Sequence, residues 1–307
     1  MIQLVAKSFI TQKAAENRED CQDAFCQNEG MARYAVADGA TQSFFPKEWA
    51  ELLVGHFCEA SVSFPTRKSW RSWIEPVQVR WYAQVKRTVE EHDKFYLNNR
   101  FKFKQPAAST FIGLEFDKAQ AKWEAMIVGD SCLFHLDARG FRSYEIERSA
   151  DFTNRPRVFA SYDKDNHSEP SFVKCNATPG DTLILATDAL AQWILQQEEA
   201  GKRDEVLSEL KKIEDQHQFR EFINRVRTDE DFPLVNDDVT LMIISVEKDK
   251  TQACDKIPEE CSPVNTTRPP PELPPVLLWM MVAVFFGLPL LCYICYKCWL
   301  RFFFDRD

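Results

Sequence analysis

Aspartates at the borders of apolar runs are the residues of this chain whose type and position could do chemistry. Asp38, Asp130 and Asp188 each follow directly on an apolar run, and the pair Asp237–Asp238 stands immediately before another. A single aspartate in such a place is explained by its preference for turns and strand ends. Several together indicate more, because carboxylates at the ends of neighbouring strands would converge at one edge of a sheet and repel one another.

Divalent cations would relieve that repulsion. Mg²⁺ and Mn²⁺ are hard ions that prefer carboxylate and carbonyl oxygens as ligands. The five histidines, at positions 56, 92, 135, 167 and 217, are scattered and adjoin none of these aspartates, so the pattern does not indicate a zinc cluster. The chain also has no Gly-x-Ser-x-Gly motif, which argues against a serine hydrolase. We therefore expect a magnesium or manganese site built from aspartates.

The elements that would position these aspartates are a mixture of strands and helices. Apolar, aromatic and β-branched runs predict strands at residues 1–11, 32–37, 109–116, 122–128, 132–136, 182–187 and 239–246. Apolar side chains at three- and four-residue spacing predict helices at 48–62, 70–97, 207–212 and 219–227, with Pro76 starting or breaking the second. Paired strands alternating with paired helices favour an α+β sandwich over a strict βαβ repeat.

The composition changes after residue 248. Residues 249–275 hold seven of the sixteen prolines, a composition typical of an extended, semi-rigid linker. Residues 276–296 then carry no charge, and a helix of that length spans about 31 Å, close to the thickness of the bilayer hydrocarbon. The expected organisation is a globular domain at 1–248, a linker at 249–275, one transmembrane helix at 276–296 and a short tail at 297–307.

The orientation of this predicted span has two interpretations. Basic residues after the span outnumber those just before it, so the positive-inside rule places the C-terminus in the cytoplasm. That arrangement would export the whole globular domain, although residues 1–12 have no secretory signal pattern. We therefore favour a single-pass C-terminal anchor that leaves the globular domain in the cytosol.

The net charge limits the partners of the globular domain. The chain has 38 lysines and arginines against 47 aspartates and glutamates, a net charge of −9. Since no long basic run offsets this balance, general binding to nucleic acid is not expected.

The order and context of the aspartates resemble the metal-dependent PPM protein phosphatases, also called type 2C. The resemblance covers about residues 1–247 and is carried by five short motifs. They are Arg18-x-x-x-Gln22-Asp23, Val-Ala-Asp38-Gly39, Val-Gly129-Asp130-Ser131, Ala-Thr187-Asp188-Ala189 and Asp237-Asp238-Val-Thr240. The resemblance implies a four-layer sandwich of two antiparallel β-sheets flanked by α-helices, with a centre of two Mg²⁺ or Mn²⁺ ions at one edge.

The resemblance also implies a role for each motif residue. By position, Asp38 bridges the two ions, the Gly39 carbonyl binds one of them, and Asp188 and Asp237 hold the other. Asp23 orders metal-bound water, and Asp130 belongs to a looser third-metal site. Arg18 clamps the substrate phosphate. Arg18 and Asp38 are thus the expected catalytic residues. The implied reaction is attack on phosphorus by a water that two metal ions activate, without a phosphoenzyme.

Four positions depart from the family pattern. Gln22 stands where an acidic residue often lies, Ala189 replaces the usual glycine, Asp238 replaces an asparagine, and Ala40 stands where some members have a histidine. None of these changes removes a proposed direct metal ligand.

Two functions are compatible with this pattern. The first is a membrane-anchored, metal-dependent phosphatase that hydrolyses phosphoserine and phosphothreonine in proteins, with a kinase or its substrates at the membrane as partners. The second is an inactive pseudophosphatase that serves as a membrane-tethered, phosphoprotein-binding scaffold. Gln22 and Ala189 favour the second, whereas retention of the repelling carboxylates Asp38, Asp188 and Asp237 favours the first.

Overall fold

The computed structural model describes residues 2–166 and 169–249 of the 307-residue chain. The predicted transmembrane helix at 276–296, the short tail and nearly all of the predicted linker lie outside the described residues. Within the described residues, no helix combines the length and the apolar character that crossing a bilayer requires.

Strands and helices alternate along the described residues in twelve strands and six α-helices. The strands are β1 Ile2–Thr11, β2 Asp23–Asn28, β3 Arg33–Asp38, β4 Ala108–Ser109, β5 Phe111–Asp117, β6 Lys122–Val128, β7 Cys132–Asp137, β8 Gly140–Tyr144, β9 Phe159–Ala160, β10 Ser171–Asn176, β11 Thr182–Ala186 and β12 Val239–Lys248. The helices are α1 Pro46–Cys58, α2 Trp70–His92, α3 Phe95–Lys102, α4 Asp188–Glu199, α5 Arg203–Lys212 and α6 Gln216–Arg227.

The long strands form two antiparallel sheets. The first sheet has the order β1–β12–β11–β7–β8 and the second has the order β10–β6–β5–β3–β2, while β4 and β9 pair separately. One hydrophobic cluster joins the two sheets, with Tyr34 and Leu114 from the second and Leu185 and Met242 from the first. The predicted α+β fold with two antiparallel sheets is therefore confirmed.

Helices cover the outer face of each sheet. Trp49 of α1 and Trp81 of α2 belong to a cluster against the second sheet, and Trp193 of α4 and Phe219 of α6 belong to a cluster against the first. Both faces of these strands are therefore buried, which explains why their sequences are continuous apolar runs. In β11, for example, every residue is buried.

Helix α2 corrects two expectations about the region around Pro76. The helix runs unbroken from Trp70 to His92 with Pro76 inside it. Pro76 has no amide hydrogen to donate to the Ser72 carbonyl, and both residues are exposed, so water can bond that carbonyl instead. The predicted single helix at 70–97 ends instead at Asp93, whose left-handed φ of 43° separates α2 from α3.

Antiparallel pairing brings the predicted site residues to one edge of the sandwich. β3, β6 and β11 end there, while β2, β7 and β12 begin there, because the chain reverses between neighbouring strands. The aspartates that border these six strands therefore share one edge. They come from segments that are far apart in the sequence, and the strand pairing holds them there.

The described residues belong to one compact unit that ends near residue 253. Its three hydrophobic clusters draw only on residues between Ile2 and Val246. Because these cores close without the region after the unit, we expect a fragment of residues 1–253 to fold by itself.

Candidate metal centre and active site

Asp23 and Asp38 form the centre of the candidate site. Asp23 begins β2 and Asp38 ends β3, and the two residues are direct cross-strand partners. Directly opposed residues present their side chains on the same face of a sheet. The pKa of each carboxyl is raised well above its usual range, first by burial and then by the surrounding carboxylates. The protein therefore holds two acids together where neither can ionise easily.

Two threonines of the first sheet fix one oxygen of Asp23. Thr187 Oγ1 and Thr240 Oγ1 donate hydrogen bonds to Asp23 Oδ2 at 2.9 and 2.8 Å, and the Thr240 amide donates to Thr187 Oγ1 at 2.9 Å. The other oxygen of Asp23, Oδ1, is buried without a hydrogen-bond partner among the described residues. Asp23 thus bridges the two sheets and leaves one oxygen for a ligand. The motifs contain both threonines, but sequence reasoning gave them no role.

The backbone around Gly39 is closely packed. A Cβ at this position would lie 2.8 Å from the Pro46 carbonyl oxygen and 2.9 Å from the Gln22 carbonyl oxygen, so a larger residue requires backbone movement. The Gly39 amide donates to Gln22 O at 3.2 Å. The Asp38 carbonyl accepts hydrogen bonds from the Thr110 amide and from Ser109 Oγ at 2.9 and 2.7 Å. These contacts hold the Asp38-Gly39 segment in a single position.

Asp130 lies in the turn between β6 and β7. The preceding Gly129 has φ +101°, and a Cβ there would lie 2.6 Å from the Thr110 side chain, so the turn requires glycine. Asp130 is 6% exposed and its Oδ1 has no hydrogen-bond partner among the described residues. Burial, together with the charge of Asp188, raises the pKa of Asp130 to about 7.

Asp188 and Asp237 approach the centre from the first sheet. Asp188 opens α4, where the helix dipole favours a carboxylate. Burial raises its pKa to about 6, and Asp237 is the next largest cause. Both aspartates also raise the pKa of Asp38, so the structure brings them near the Asp23–Asp38 pair. Ala189, which departs from the family pattern, lies inside the regular first turn of α4 and needs no glycine conformation.

Asp238 performs a structural task. Its Oδ1 accepts from the Lys13 amide at 2.9 Å and its Oδ2 accepts from the Gln22 amide at 2.8 Å. An asparagine could accept only one of these bonds, since its nitrogen donates. Asp238 therefore ties both ends of the 13–22 loop to the start of β12, a role that the motif alone did not reveal.

Two basic side chains lie on the 13–22 loop. Lys13 Nζ lies 3.0 Å from Asp237 Oδ1 and donates to Thr41 Oγ1 at 3.1 Å. Arg18 is exposed, and its guanidinium has no ion pair with the described residues. Arg18 shares a cavity of about 400 Å³ with Asp23, Lys47 and others. Its predicted role as the phosphate clamp remains a prediction, while Lys13 is a site residue that sequence reasoning missed.

The residues at this edge fit a hard cation in their chemistry. The side-chain donors are all carboxylate oxygens, and two of them are buried without partners. Among residues 2–166 and 169–249, no three acidic, histidine or cysteine side chains are placed closely enough to hold an ion as they stand. Electrostatic coupling acts over a longer range than coordination, and repelling carboxylates approach to ligand distance only around a cation. Raised carboxyl pKa values are therefore compatible with side chains that do not yet lie at ligand distance from one another.

Larger cavities do not compete with this site. A cavity of about 760 Å³ is bordered by the opposite ends of β3, β5 and β6, including Ala32, Asp117 and Lys122. It lies at the far edge of the second sheet from Asp38, and two of its three carboxylates are paired with basic side chains, Glu115 with Arg33 and Glu124 with Lys174.

Solved structures with the same fold show 14% sequence identity to this chain. One of them is PppA, a regulatory component of T6SS in Pseudomonas aeruginosa, which matches with a TM-score of 0.52 over 79% of this chain and 97% of its own. The serine/threonine phosphatase Stp1 of Staphylococcus aureus matches with a TM-score of 0.51 over 80% of this chain and 96% of its own. The catalytic domain of the serine/threonine protein phosphatase PstP, in complex with two manganese ions, matches with a TM-score of 0.50 over 81% and 100%.

Sequence comparison identifies the family. No curated protein matched the sequence. The family model described as Protein phosphatase 2C matches residues 12–231, which include all five motifs except the last. Since this match covers well over half of the chain, the protein belongs to the protein phosphatase 2C family of serine/threonine phosphatases.

Proposed function

We propose that this protein is an active, metal-dependent phosphatase that hydrolyses phosphoserine and phosphothreonine in proteins at a membrane. The observation that carries the proposal is the group of buried, mutually repelling aspartates around Asp38. Two of their oxygens, on Asp23 and Asp130, have no hydrogen-bond partner among the described residues. Unpaired buried carboxylates destabilise a fold, so their presence is explained best by a cation that they hold.

The chain's own residues would hold two ions at this edge. Asp38 and the Gly39 carbonyl lie on the second sheet, while Asp188 and Asp237 lie on the first. Mg²⁺ or Mn²⁺, when bound, supplies the Lewis acidity that lowers the pKa of a water and offsets charge on the phosphoryl oxygens. Asp23, held by Thr187 and Thr240, has one oxygen left to accept a hydrogen bond from that water. The manganese ions of PstP support the choice of cation.

Arg18 supplies the substrate contact. Its exposed guanidinium can donate two parallel hydrogen bonds to a phosphate, and no ion pair with a described residue competes for it. Ala40 follows Asp38-Gly39 and provides no proton donor there, so the leaving serine or threonine oxygen takes its proton from water. The site therefore acts by positioning the phosphate and by neutralising its charge.

The membrane location rests on the sequence of residues 276–296. A span there, behind the linker at 249–275, would restrict the enzyme to phosphoproteins at the membrane, such as a kinase or its substrates. We propose that the phosphatase domain faces the cytosol. Protease added outside intact cells should then leave residues 1–248 of the full chain undigested, and digestion of that domain would reverse the orientation.

Hydrolysis of p-nitrophenyl phosphate by residues 1–253 tests the catalytic part of the proposal. Turnover should require Mn²⁺ or Mg²⁺, should disappear with a chelator, and should fall by on the order of 10³-fold in Asp38→Asn. Asp117→Asn is the matched control, because it makes the same change at the far end of β5 and should retain full turnover.

Three results would contradict this assignment. Full turnover in Asp38→Asn would show that the site is wrong, and turnover in excess chelator would show that the metal is not needed. A folded wild-type fragment that binds phosphoprotein but shows no metal-dependent turnover would favour the pseudophosphatase scaffold. The Lys13–Asp237 ion pair is the observation that keeps this alternative open, since it already supplies a cation to one proposed ligand.

A further inference from the structure

Helix α3 exposes aromatic side chains on its outer face. Phe95 is 81% exposed, Tyr96 is 57% exposed and Phe103, directly after the helix, is 75% exposed. Tyr96 and Phe103 are seven residues apart, and the Phe103 amide still donates to the Asn99 carbonyl, so these two rings lie on the same side of the helix. Exposed apolar residues are usually scattered singly, whereas these form a group within nine positions.

The inner face of α3 is also apolar. Leu97 and Phe101 pack against the cluster beneath α1 and α2, and the Phe101 ring lies 5.2 Å from the ring of Tyr82. Since the inner face already anchors the helix, the outer aromatic residues are not needed for packing within the described part of the chain. Burial of these rings against a partner would therefore stabilise the complex by removing apolar surface from water.

Basic residues are interspersed with the outer aromatic residues, and the acidic residues Glu90, Glu91 and Asp93 precede them. Residues 94–104 contain four basic residues and no acidic one, in a chain whose net charge is −9. Lys94, Lys102 and Lys104 are exposed, and none of them has an ion-pair partner among the described residues. We call Phe95, Tyr96, Phe103 and these three lysines the α3 surface.

Arg100 fixes the α3 surface beside the candidate active site. Its guanidinium donates to the carbonyls of Gln42 and Ser43 at 3.1 and 3.0 Å and lies over the Phe44 ring. Those residues belong to the loop that follows Asp38-Gly39. Helix α3 is therefore attached to the loop that follows the edge of the sandwich carrying Asp38, which we call the catalytic edge.

We propose that the α3 surface docks on the anionic lipid headgroups of a membrane. Phenylalanine and tyrosine rings that project from a basic helix insert at the boundary between headgroups and acyl chains, while lysines contact the lipid phosphates. Phe95, Tyr96 and Phe103 are each exposed by more than half of their area, so their rings can insert into a lipid layer. The proposal depends neither on catalysis nor on a span at 276–296.

Co-sedimentation of residues 1–253 with lipid vesicles tests this inference without the predicted transmembrane segment. The fragment should bind vesicles of phosphatidylcholine mixed with phosphatidylserine and should bind pure phosphatidylcholine much more weakly, with the difference shrinking as salt is added. Phe95→Ser/Phe103→Ser and Lys102→Glu/Lys104→Glu should each weaken binding by about tenfold or more.

Lys211→Glu/Lys212→Glu is the matched control, because it makes the same charge change at two exposed lysines of α5. It should bind vesicles like the wild type. All variants change exposed side chains and should keep their unfolding temperature and their turnover of p-nitrophenyl phosphate. If neither the wild type nor any variant hydrolyses p-nitrophenyl phosphate, the proposed phosphatase activity is refuted, whereas the vesicle result is unaffected.

Several results would overturn the docking proposal. They are a folded fragment that does not bind the phosphatidylserine vesicles, aromatic variants that bind as well as the wild type, and an equal loss in the α5 control. Saturable binding of a polyglutamate peptide to the wild type without binding to vesicles would also overturn it, in favour of an acidic protein partner.

Discussion

Strands β7 and β11 carry an aspartate at each end, and the two ends differ in how those acids are satisfied. At the catalytic edge lie Asp130 and Asp188, and at the opposite edge lie Asp137 and Asp181. Asp137 accepts hydrogen bonds from Arg139 and Arg142, which lower the pKa of its carboxyl below the usual range. At the catalytic edge, burial and neighbouring carboxylates raise the pKa of Asp130 to about 7 and that of Asp188 to about 6.

The same residue type on the same strands therefore serves two purposes. Asp181 Oδ2 lies 3.2 Å from His135 Nε2 and accepts from the Thr178 amide at 2.8 Å. These partners come from the protein itself, so the opposite edge is complete without a ligand. At the catalytic edge Asp23 Oδ1 and Asp130 Oδ1 have no such partner among the described residues, and we propose that an ion completes that edge. The comparison distinguishes a structural acid from a binding acid more clearly than burial does, because Asp181 at one edge and Asp130 at the other are both buried.

The largest expected difference between the two edges concerns Asp188→Asn. This change removes a proposed metal ligand, so Mn²⁺-dependent turnover should fall by on the order of 10²–10³-fold. Without metal the variant should be at least as stable as the wild type, because a repelling buried charge is gone. Calorimetric titration with Mn²⁺ and thermal unfolding in chelator measure the two effects. A variant that loses stability in chelator but keeps its Mn²⁺ affinity would place Asp188 with the structural acids.

Asp181→Ala should give the opposite result at the other edge. It leaves the buried His135 Nε2 without its acceptor, and an unpaired buried group costs about 1–3 kcal/mol. The free energy of unfolding should fall by that order, while Mn²⁺ affinity and turnover at a permissive temperature stay unchanged. Urea unfolding monitored by tryptophan fluorescence provides the measurement, and a tenfold loss of Mn²⁺ affinity would contradict the separation of the two edges.

The sequence was sufficient for the positions of the acids but not for their partners. Asp38, Asp130, Asp188 and Asp237 border apolar runs, whereas Asp23 lies in a polar segment. Apolar runs along the chain predicted seven of the strands to within a few residues. The partners were missed because pairing across the sheets, which local sequence does not encode, brings Thr187 and Thr240 to Asp23. Helix α4 was not predicted, although Thr187 and Asp188 interrupt the apolar run and form the start of the helix.

The opposite edge should also impose a pH dependence on stability. His135 is fully buried, and burial is the main cause that lowers its pKa from 6.5. Arg142 can only donate, and it donates to His135 Nδ1, so Nε2 carries the proton and donates to Asp181. The buried imidazole is therefore neutral. The unfolded chain binds a proton that the folded protein does not, so stability present above pH 6.5 is lost as the pH falls toward the lowered value.

This loss should reach up to about 1.4 kcal/mol per pH unit for one histidine. His135→Gln tests it, because glutamine can both accept from Arg142 and donate to Asp181 without titrating. Burial also lowers the pKa of His56, so the variant should lose only part of the dependence below pH 6.5. Exposed His217 is the control position, where glutamine should change nothing. An unchanged slope in His135→Gln would show that this histidine does not couple stability to pH.

The smallest expected effect is a change in Mn²⁺ affinity when the charge of Lys13 is removed. It tests the comparison directly, because Lys13 is the one described lysine that contacts a proposed ligand at the catalytic edge. Its ammonium lies 3.0 Å from Asp237 Oδ1 with the side chain 16% exposed, so an ion bound through Oδ1 must displace it. A partly exposed pair of this kind contributes up to about 1 kcal/mol. Removing it should therefore tighten binding of one Mn²⁺ by up to about fivefold.

Lys13→Met preserves the length of the aliphatic chain and removes the charge, whereas Lys13→Arg keeps the charge and serves as its control. In calorimetric titrations, Lys13→Met should bind Mn²⁺ more tightly and should lose stability in chelator, where Asp237 becomes unpaired. If Lys13→Met binds Mn²⁺ less tightly than both the wild type and Lys13→Arg, then Lys13 supports the ion instead of competing with it. In that case the catalytic edge, like the opposite edge, would be completed in part by the chain's own cation.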